Sequence, residues 1–399
     1  MQSPISIIPG QSQGQPITPA LAPDSVAAVL RFHQSLPDYQ PTPLVALPEL
    51  AQKLGVTAVF VKDESRRFGL NAFKSLGASY AMATVIADYL HLDAGHLNYR
   101  DLITPAVRQK LKDLVFITAT DGNHGKGVAW AAALFGCRAM VLMPRGTQPC
   151  RAEAIRAINA TRVEITDLNY DDAVRRAAKL ATENGYLLIQ DTALAGYTAI
   201  PNAITRGYTT MAAEALAQLG DLGIAKPSHV FLQAGVGSMA GGVLGYLAHY
   251  YNHKPPLTTI VEPDTVACLY HSVASGQPVA IGGHPETIMA GLNCGEPNPQ
   301  TWPILRDYAS FFARCPDWVT VLGMQTLAQP EAADPVVISG ESGAVGLGLL
   351  VALCRDQRLT DLKARLKLDR KATVLLFSTE GDTDPEGYAA LVSPPRGIV

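Results

Sequence analysis

One local pattern recurs along the chain: a short β-branched apolar run, a turn rich in glycine or hydroxyl residues, then a helical stretch. It occurs at 58–62 leading into 72–89, at 114–118 leading into 125–135, at 229–251 and again at 373–390. Further strand-like runs lie at 139–143 and 162–165, and further helical ones at 47–54, 150–157 and 171–184. Strands that alternate with helices pair through crossovers, so the pattern predicts the α/β class, with parallel-rich twisted sheets flanked by helices on both faces. The 399 residues are 48% hydrophobic and 17% charged, which excludes a disordered or collagen-like chain and suits two domains. The series of βα units over 86–190 predicts a small domain, leaving 1–85 and 191–399 for a large one.

Several function classes fall away on composition. A formal charge of −3 provides no field for a polyanion, so nucleic acid is not an expected partner. The six cysteines are scattered, without C-x-x-C or a nearby histidine at zinc-ligand spacing, so no metal site is expected. Cys268 and Cys294 read as two reduced thiols rather than a bridge, as suits a cytoplasmic protein. The first two dozen residues are rich in Gln, Pro and Ser and do not look like an export signal; they read as an arm lying on the surface or on a second subunit. No stretch reaches the ~18 uninterrupted apolar residues of a membrane span.

Parallel sheets bind ligands beyond the carboxyl ends of their strands, so the residues that follow each apolar run carry the information. After 58–62 comes Asn71-Ala72-Phe73-Lys74-Ser75-Leu76-Gly77-Ala78, where small neighbours suit a half-buried lysine. Burial lowers a lysine pKa and frees the amine for carbonyl chemistry, although an ordinary solvated lysine fits the same letters. After 114–118 comes Thr120-Asp121-Gly122-Asn123-His124-Gly125, an anion site at a helix start or a glycine turn capped by Asp121. After 229–233 comes Gly235-Val236-Gly237-Ser238-Met239, suited to wrapping a phosphate. A dinucleotide site requires an acid about 20 residues on, closing the next strand. The first candidate, Glu262, comes late and precedes a proline, which favours a monophosphate cup. After 373–377, Ser378 and Thr379 offer hydroxyls for a helix cap or a heterocyclic nitrogen.

Taken in this order, the four loops resemble the tryptophan-synthase-β-like family, the fold type II enzymes that use pyridoxal 5′-phosphate (PLP). The resemblance runs from Pro41 to about Tyr388 and implies a two-domain fold type II architecture. It implies Lys74 as the Schiff-base lysine and Asn123 as the partner of the PLP 3′-oxygen. Gly235, Val236, Gly237, Ser238 and Met239 match the phosphate cup, and Ser378, with Thr379 beside it, the hydroxyl at the pyridine nitrogen. A homodimer follows by family analogy.

Dehydratases and cysteine synthases of the family carry a serine or threonine before Gly-Asn, where this chain has Asp121. With Gln190-Asp191-Thr192, Gly196-Tyr197 and Arg206-Gly207-Tyr208, that departure resembles the branch that removes both amino groups of 2,3-diaminopropionate, in either hand. The products are pyruvate and two ammonia. A β-ammonium favours carboxylates, and two mirror-image α-protons require bases on opposite faces. The resemblance implies Asp191 as base for the L isomer and Asp121 for the D isomer, and a substrate site of Ser75, Asp121, Gly122, His124 and Asp191. Asp191 as a helix N-cap is the competing reading. Glu341 is a weaker candidate for the cofactor ring, and Trp130 and Phe135 read as core. A serine or threonine dehydratase, an NAD(P)-linked oxidoreductase and a non-catalytic relative remain as alternatives.

Overall fold

The computed structural model describes residues 5–11, 14, 16–120, 122–158, 162–191, 196–283, 285–330 and 333–393. Among them are eleven strands: β1 (Ser6–Pro9), β2 (Leu44–Ala46), β3 (Ala58–Asp63), β4 (Val115–Ala119), β5 (Arg138–Met143), β6 (Arg162–Ile165), β7 (Leu187–Leu188), β8 (His229–Gln233), β9 (Leu257–Pro263), β10 (Phe311–Cys315) and β11 (Thr373–Ser378). The chain divides into two compact units, one from 1–18, 41–71 and 214–399, the other from 19–40 and 72–213. The 86–190 segment expected as a small domain lies wholly in the second unit. That unit also takes in the helices Pro23–Gln34 and Lys74–Tyr89 and most of Ala199–Asp221.

The first unit holds a seven-stranded sheet in the order β1-β10-β9-β8-β11-β3-β2. Its interior pairs are parallel, and antiparallel β1 and β2 close the two edges. β1 belongs to the segment read as a surface arm. Ile5 and Ile7 are buried in this unit's core, because alternating isoleucines give an edge strand one apolar face. The chain runs β8, β9, β10 in one direction across the sheet and then returns to insert β11 on the other side of β8. The loops after β8 and β11 therefore flank a topological switch point, where an open α/β sheet has its ligand crevice.

A buried charge cluster braces the loop after β3. Lys62 Nζ lies 2.7 Å from Glu214 Oε2, and Arg67 bonds Glu64 and Glu214 at 2.8 to 2.9 Å. Thr42 donates its hydroxyl to Glu64 (2.7 Å) and its carbonyl accepts from Lys62 (2.6 Å). Two cations matched to two carboxylates can be buried because every charge is met by its opposite.

The second unit holds a parallel four-stranded sheet in the order β6-β5-β4-β7. Its chain path reverses too: β4, β5, β6 run one way and β7 returns on the far side of β4. The switch point falls between the loops after β4 and β7. These are the segments that carry Asn123 and Asp191.

Candidate active site

In the second unit, the Lys74–Tyr89 helix starts at the lysine itself. Lys74 Nζ lies 2.7 Å from Asp191 Oδ2, with both side chains largely buried. The rings of Phe73 and Tyr208 have centroids 5.5 and 5.8 Å from the same nitrogen, within cation–π reach. Gly77 makes room for this packing, since a Cβ there would stand 2.5 Å from Tyr208 Cε1. The sequence reading joined Lys74 and Asp191 only through family resemblance, and the fold brings them into contact.

Asp191 is held in place by its neighbour. β7 pairs with β4 over only two residues, followed by one bond from Ile189 N–H to Ile117 C=O. The Gln190 side chain then continues the ladder: Oε1 accepts from Ala119 N–H (3.1 Å) and Thr118 Oγ1 (3.1 Å), while Nε2 donates to Ala119 C=O (3.1 Å) and Tyr170 OH (3.0 Å). The backbone N–H of Gln190 donates to Tyr197 OH (2.8 Å), which donates to Leu188 C=O (2.8 Å). A side-chain amide thus replaces the main chain at the point where the strand turns away to present Asp191.

His124 Nε2 lies 2.9 Å from Ile189 C=O, so the ring carries a proton there. Nδ1 then faces Asp191 Oδ2 at 4.0 Å. Burial pulls the Asp191 carboxyl pKa upward, but the Lys74 ammonium and His124 outweigh it and hold the group below the usual carboxylate range. Ser75 is buried, and its hydroxyl meets no partner among the described residues. Asn123 opens the Asn123–Phe135 helix directly after Gly122. Thr120 Oγ1 accepts from Gly122 N–H (3.0 Å) and Gly125 N–H (3.2 Å), which supplies the cap considered above for Asp121. Asp121 itself lies outside the described residues, as do residues 192–195 of the 192–197 helix that Asp191 was weighed as capping; Gly196 and Tyr197, at the end of that stretch, are not helical.

In the first unit, Gly235, Val236 and Gly237 link β8 to the Ser238–Tyr250 helix, whose first turn holds Ser238 and Met239. No acceptor among the described residues meets the amide N–H groups of Gly235, Val236 or Gly237. Gly237 sits at φ +95°, a conformation that favours glycine. Asn298, fully buried, holds the loop: its N–H donates to Val236 C=O (2.8 Å) and its Nδ2 to Ser238 Oγ (2.8 Å). Backbone donors at a helix N-terminus make an anion cup. Across the switch point, Gln233 Nε2 donates to Phe377 C=O (2.7 Å) and Thr379 Oγ1 (2.9 Å), tying the loop after β8 to the loop after β11. Ser378 Oγ bonds Ser339 Oγ at 2.8 Å. Glu341 is buried nearby in sequence, and its carbonyl accepts from the Thr320 hydroxyl.

One premise about this loop needs correction. β9 runs from Leu257 to Pro263, so Glu262 does sit at the carboxyl end of the next strand, where a ribose-binding acid would stand. Its oxygens, however, accept from Leu269 N–H (2.8 Å) and Tyr270 N–H (2.7 Å), and the side chain is fully buried. The acid is committed to the start of its own helix, Cys268–Ser275. No disulfide joins Cys268 and Cys294, and Cys268 Sγ lies 3.7 Å from the Cys294 carbonyl. Among the described residues no cluster of His, Cys, Asp and Glu fits a metal ion, and no helix is long and apolar enough to cross a membrane.

Each unit by itself offers groups that PLP requires. The second has a half-buried amine for the aldehyde, and the first has unmatched amides for a phosphate and neutral hydroxyls for a ring nitrogen. The family described as "Pyridoxal-phosphate dependent enzyme" matches residues 36–379. The chain belongs to that family. Fold type II architecture, PLP as cofactor and membership of an enzyme family follow with it. Among relatives, the chain is 50% identical over 367 residues to diaminopropionate ammonia-lyase of Salmonella typhimurium, covering 91% of each chain. It is 48% identical over 375 residues to the enzyme of that name from Escherichia coli K12, covering 94% of this chain and 93% of the relative. A crystal structure of the Escherichia coli enzyme in complex with D-serine superposes with a TM-score of 0.91 at 45% identity, covering 98% of this chain and 97% of the other.

The positioning amides were not anticipated. In the sequence Gln190 stands only as part of the Gln190-Asp191-Thr192 motif, Gln233 only as the last residue of an apolar strand, and Asn298 carries no local signature. The one available signal was a side-chain amide at the end of an apolar strand, at Gln233 and beside Asp191.

Proposed function

We propose that this chain is a diaminopropionate ammonia-lyase, converting 2,3-diaminopropionate of either hand, with one water consumed, to pyruvate and two ammonia. The observation that carries the reading is the Lys74–Asp191 contact of 2.7 Å, an amine for the cofactor beside a carboxylate base. The relatives' shared name and the cup after β8 support it.

In this reading Lys74 is the amine that takes the PLP aldehyde. Gly235, Val236, Gly237, Ser238 and Met239 hold its phosphate, Asn123 its 3′-oxygen, and Ser378, with Thr379 adjacent, its ring nitrogen. When bound, PLP supplies a sink for the electron pair left at the α-carbon, a milder one beside a neutral hydroxyl than beside an aspartate. Asp191 removes the α-proton of the L isomer and Asp121 that of the D isomer. Asp191 is paired with Lys74 in the free chain, and it gains basicity when that amine is engaged elsewhere, because burial then dominates its pKa. Ser75, Gly122 and His124 hold the substrate, and the orphaned Ser75 hydroxyl is a ready donor to its carboxylate. The large and small domain roles, a homodimeric assembly and a cytoplasmic location belong to the same reading.

The test is pyruvate release from each enantiomer, and from serine, by the wild-type, Asp121→Asn and Asp191→Asn proteins. Expected is turnover of both enantiomers well above serine, with each substitution abolishing mainly one of them. Equal losses on both enantiomers would remove the two-base assignment. A wild-type protein that prefers serine would replace the reading with a dehydratase.

A further inference from the structure

Within the second unit, Tyr208 is fully buried, yet its hydroxyl meets no hydrogen-bond partner among the described residues. Burying an unmatched phenol is costly, so a retained one calls for an explanation. Its surroundings are built with care. The ring packs on Phe73 with centroids 4.7 Å apart and lies beneath Lys74 Nζ. Gly77 leaves the space that the ring occupies, and Gly207, where a Cβ would stand 2.5 Å from Leu76 C=O, lets the Tyr208 helix approach the Lys74 helix closely. Burial pushes the phenol well above its ordinary pKa, with Lys74 opposing and Asp191 adding to the rise, so the group is a neutral hydroxyl facing both.

We propose that Tyr208 is a positioning residue for Lys74: its hydroxyl is a second seat for the amine when Asp191 leaves it. The inference rests on the proposed function, in which Asp191 acts as a base. A carboxylate bonded to an ammonium at 2.7 Å is a poor base, so turnover requires the two to separate. The amine then needs another partner in a site largely closed to water. The Tyr208 oxygen can accept from the ammonium or donate to the free amine, and the Phe73 and Tyr208 faces stabilise a cation at either seat. In the free chain the hydroxyl already feels the Lys74 amine but closes no hydrogen bond to it, because the amine sits on Asp191. No bond is made or broken; only the amine moves.

Tyr208→Phe removes the oxygen and keeps the ring. Four quantities are read: the melting temperature of the cofactor-free chain, PLP loading from the absorbance band, and kcat and KM with L-diaminopropionate. Expected are an unchanged or raised melting temperature, full loading, unchanged KM, and a fall in kcat of about tenfold, the scale of one hydrogen bond to a charged group. The L isomer should suffer more than the D isomer, because Asp191 serves the L isomer. A kcat within twofold of wild type overturns the proposal. A lowered melting temperature with lost loading, or failure to fold, overturns it by making the hydroxyl structural. A raised KM at constant kcat overturns it by placing the hydroxyl on the substrate. Gly77→Ala, which must displace the ring, is a second variant and should lower kcat likewise; retention of full kcat there counts against the proposal. Wild-type inactivity on diaminopropionate would instead refute the proposed function, so the two failures are distinguishable.

Discussion

Replacing Gln190 by leucine tests whether a side-chain amide holds the segment that presents Asp191. Leucine nearly matches glutamine in bulk, so packing changes little and the loss is chiefly polar. Thr118 and Tyr170 carry rotatable hydroxyls and can turn to other partners. Ala119 cannot. Its N–H and C=O point to the β7 side of β4, where the backbone ladder has already ended, and Ala119 is fully buried. The N–H is stranded outright while the C=O keeps the Thr118 hydroxyl at 3.5 Å, so the cost is that of one to two stranded groups at about 1–3 kcal/mol each. Against a typical total of about 5–15 kcal/mol, that is a large fraction. Urea denaturation reads the global loss, and hydrogen exchange at the Ala119 amide reads the local one, with protection expected to disappear. Turnover of L-diaminopropionate should fall with it, because Asp191 loses its anchor. A loss below about 1 kcal/mol with the Ala119 amide still protected would refute the reasoning.

Two further predictions follow from the first unit. Arg67→Met leaves Glu64 a buried carboxylate without a cation and Glu214 with Lys62 alone, and urea denaturation should read a loss of about 3–5 kcal/mol. Burial pushes the Glu262 carboxyl up to about 8 against the two N–H bonds that lower it. A raised acid pKa makes the native chain retain a proton that the unfolded chain releases above pH 4.5. Stability should therefore fall between pH 4.5 and 8 by about 1.4 kcal/mol per pH unit, and the difference between wild type and Glu262→Gln over that window isolates the slope.

The parts of the site legible in the sequence were those with a local signature. Glycines and hydroxyls at strand ends marked the loops after β3, β4, β8 and β11, because a chain that leaves a parallel strand for a helix needs those residues. The helices expected at 72–89, 125–135 and 171–184 fall within two residues of those observed. Elements without periodicity escaped: β7 has two residues, and β1 lies in a segment that composition marked as an arm. β9 escaped too, so Glu262 reads from the sequence as an acid that comes too late to close the next strand, although it stands at that strand's end. Asp191 was identified through family resemblance, since nothing local ties it to Lys74; only the reversal of strand order brings β7 back beside β4. Gln190, Gln233 and Asn298 act through partners distant in sequence, so their roles are set by tertiary structure alone.

The central claim is that the Lys74 amine carries PLP. Borohydride reduction of the PLP-loaded protein, followed by proteolysis and mass mapping, reads the point of attachment directly. The expected result is one reduced adduct, on Lys74, lost in Lys74→Ala. An adduct on another lysine, or none in a protein that still turns over diaminopropionate, would contradict the account.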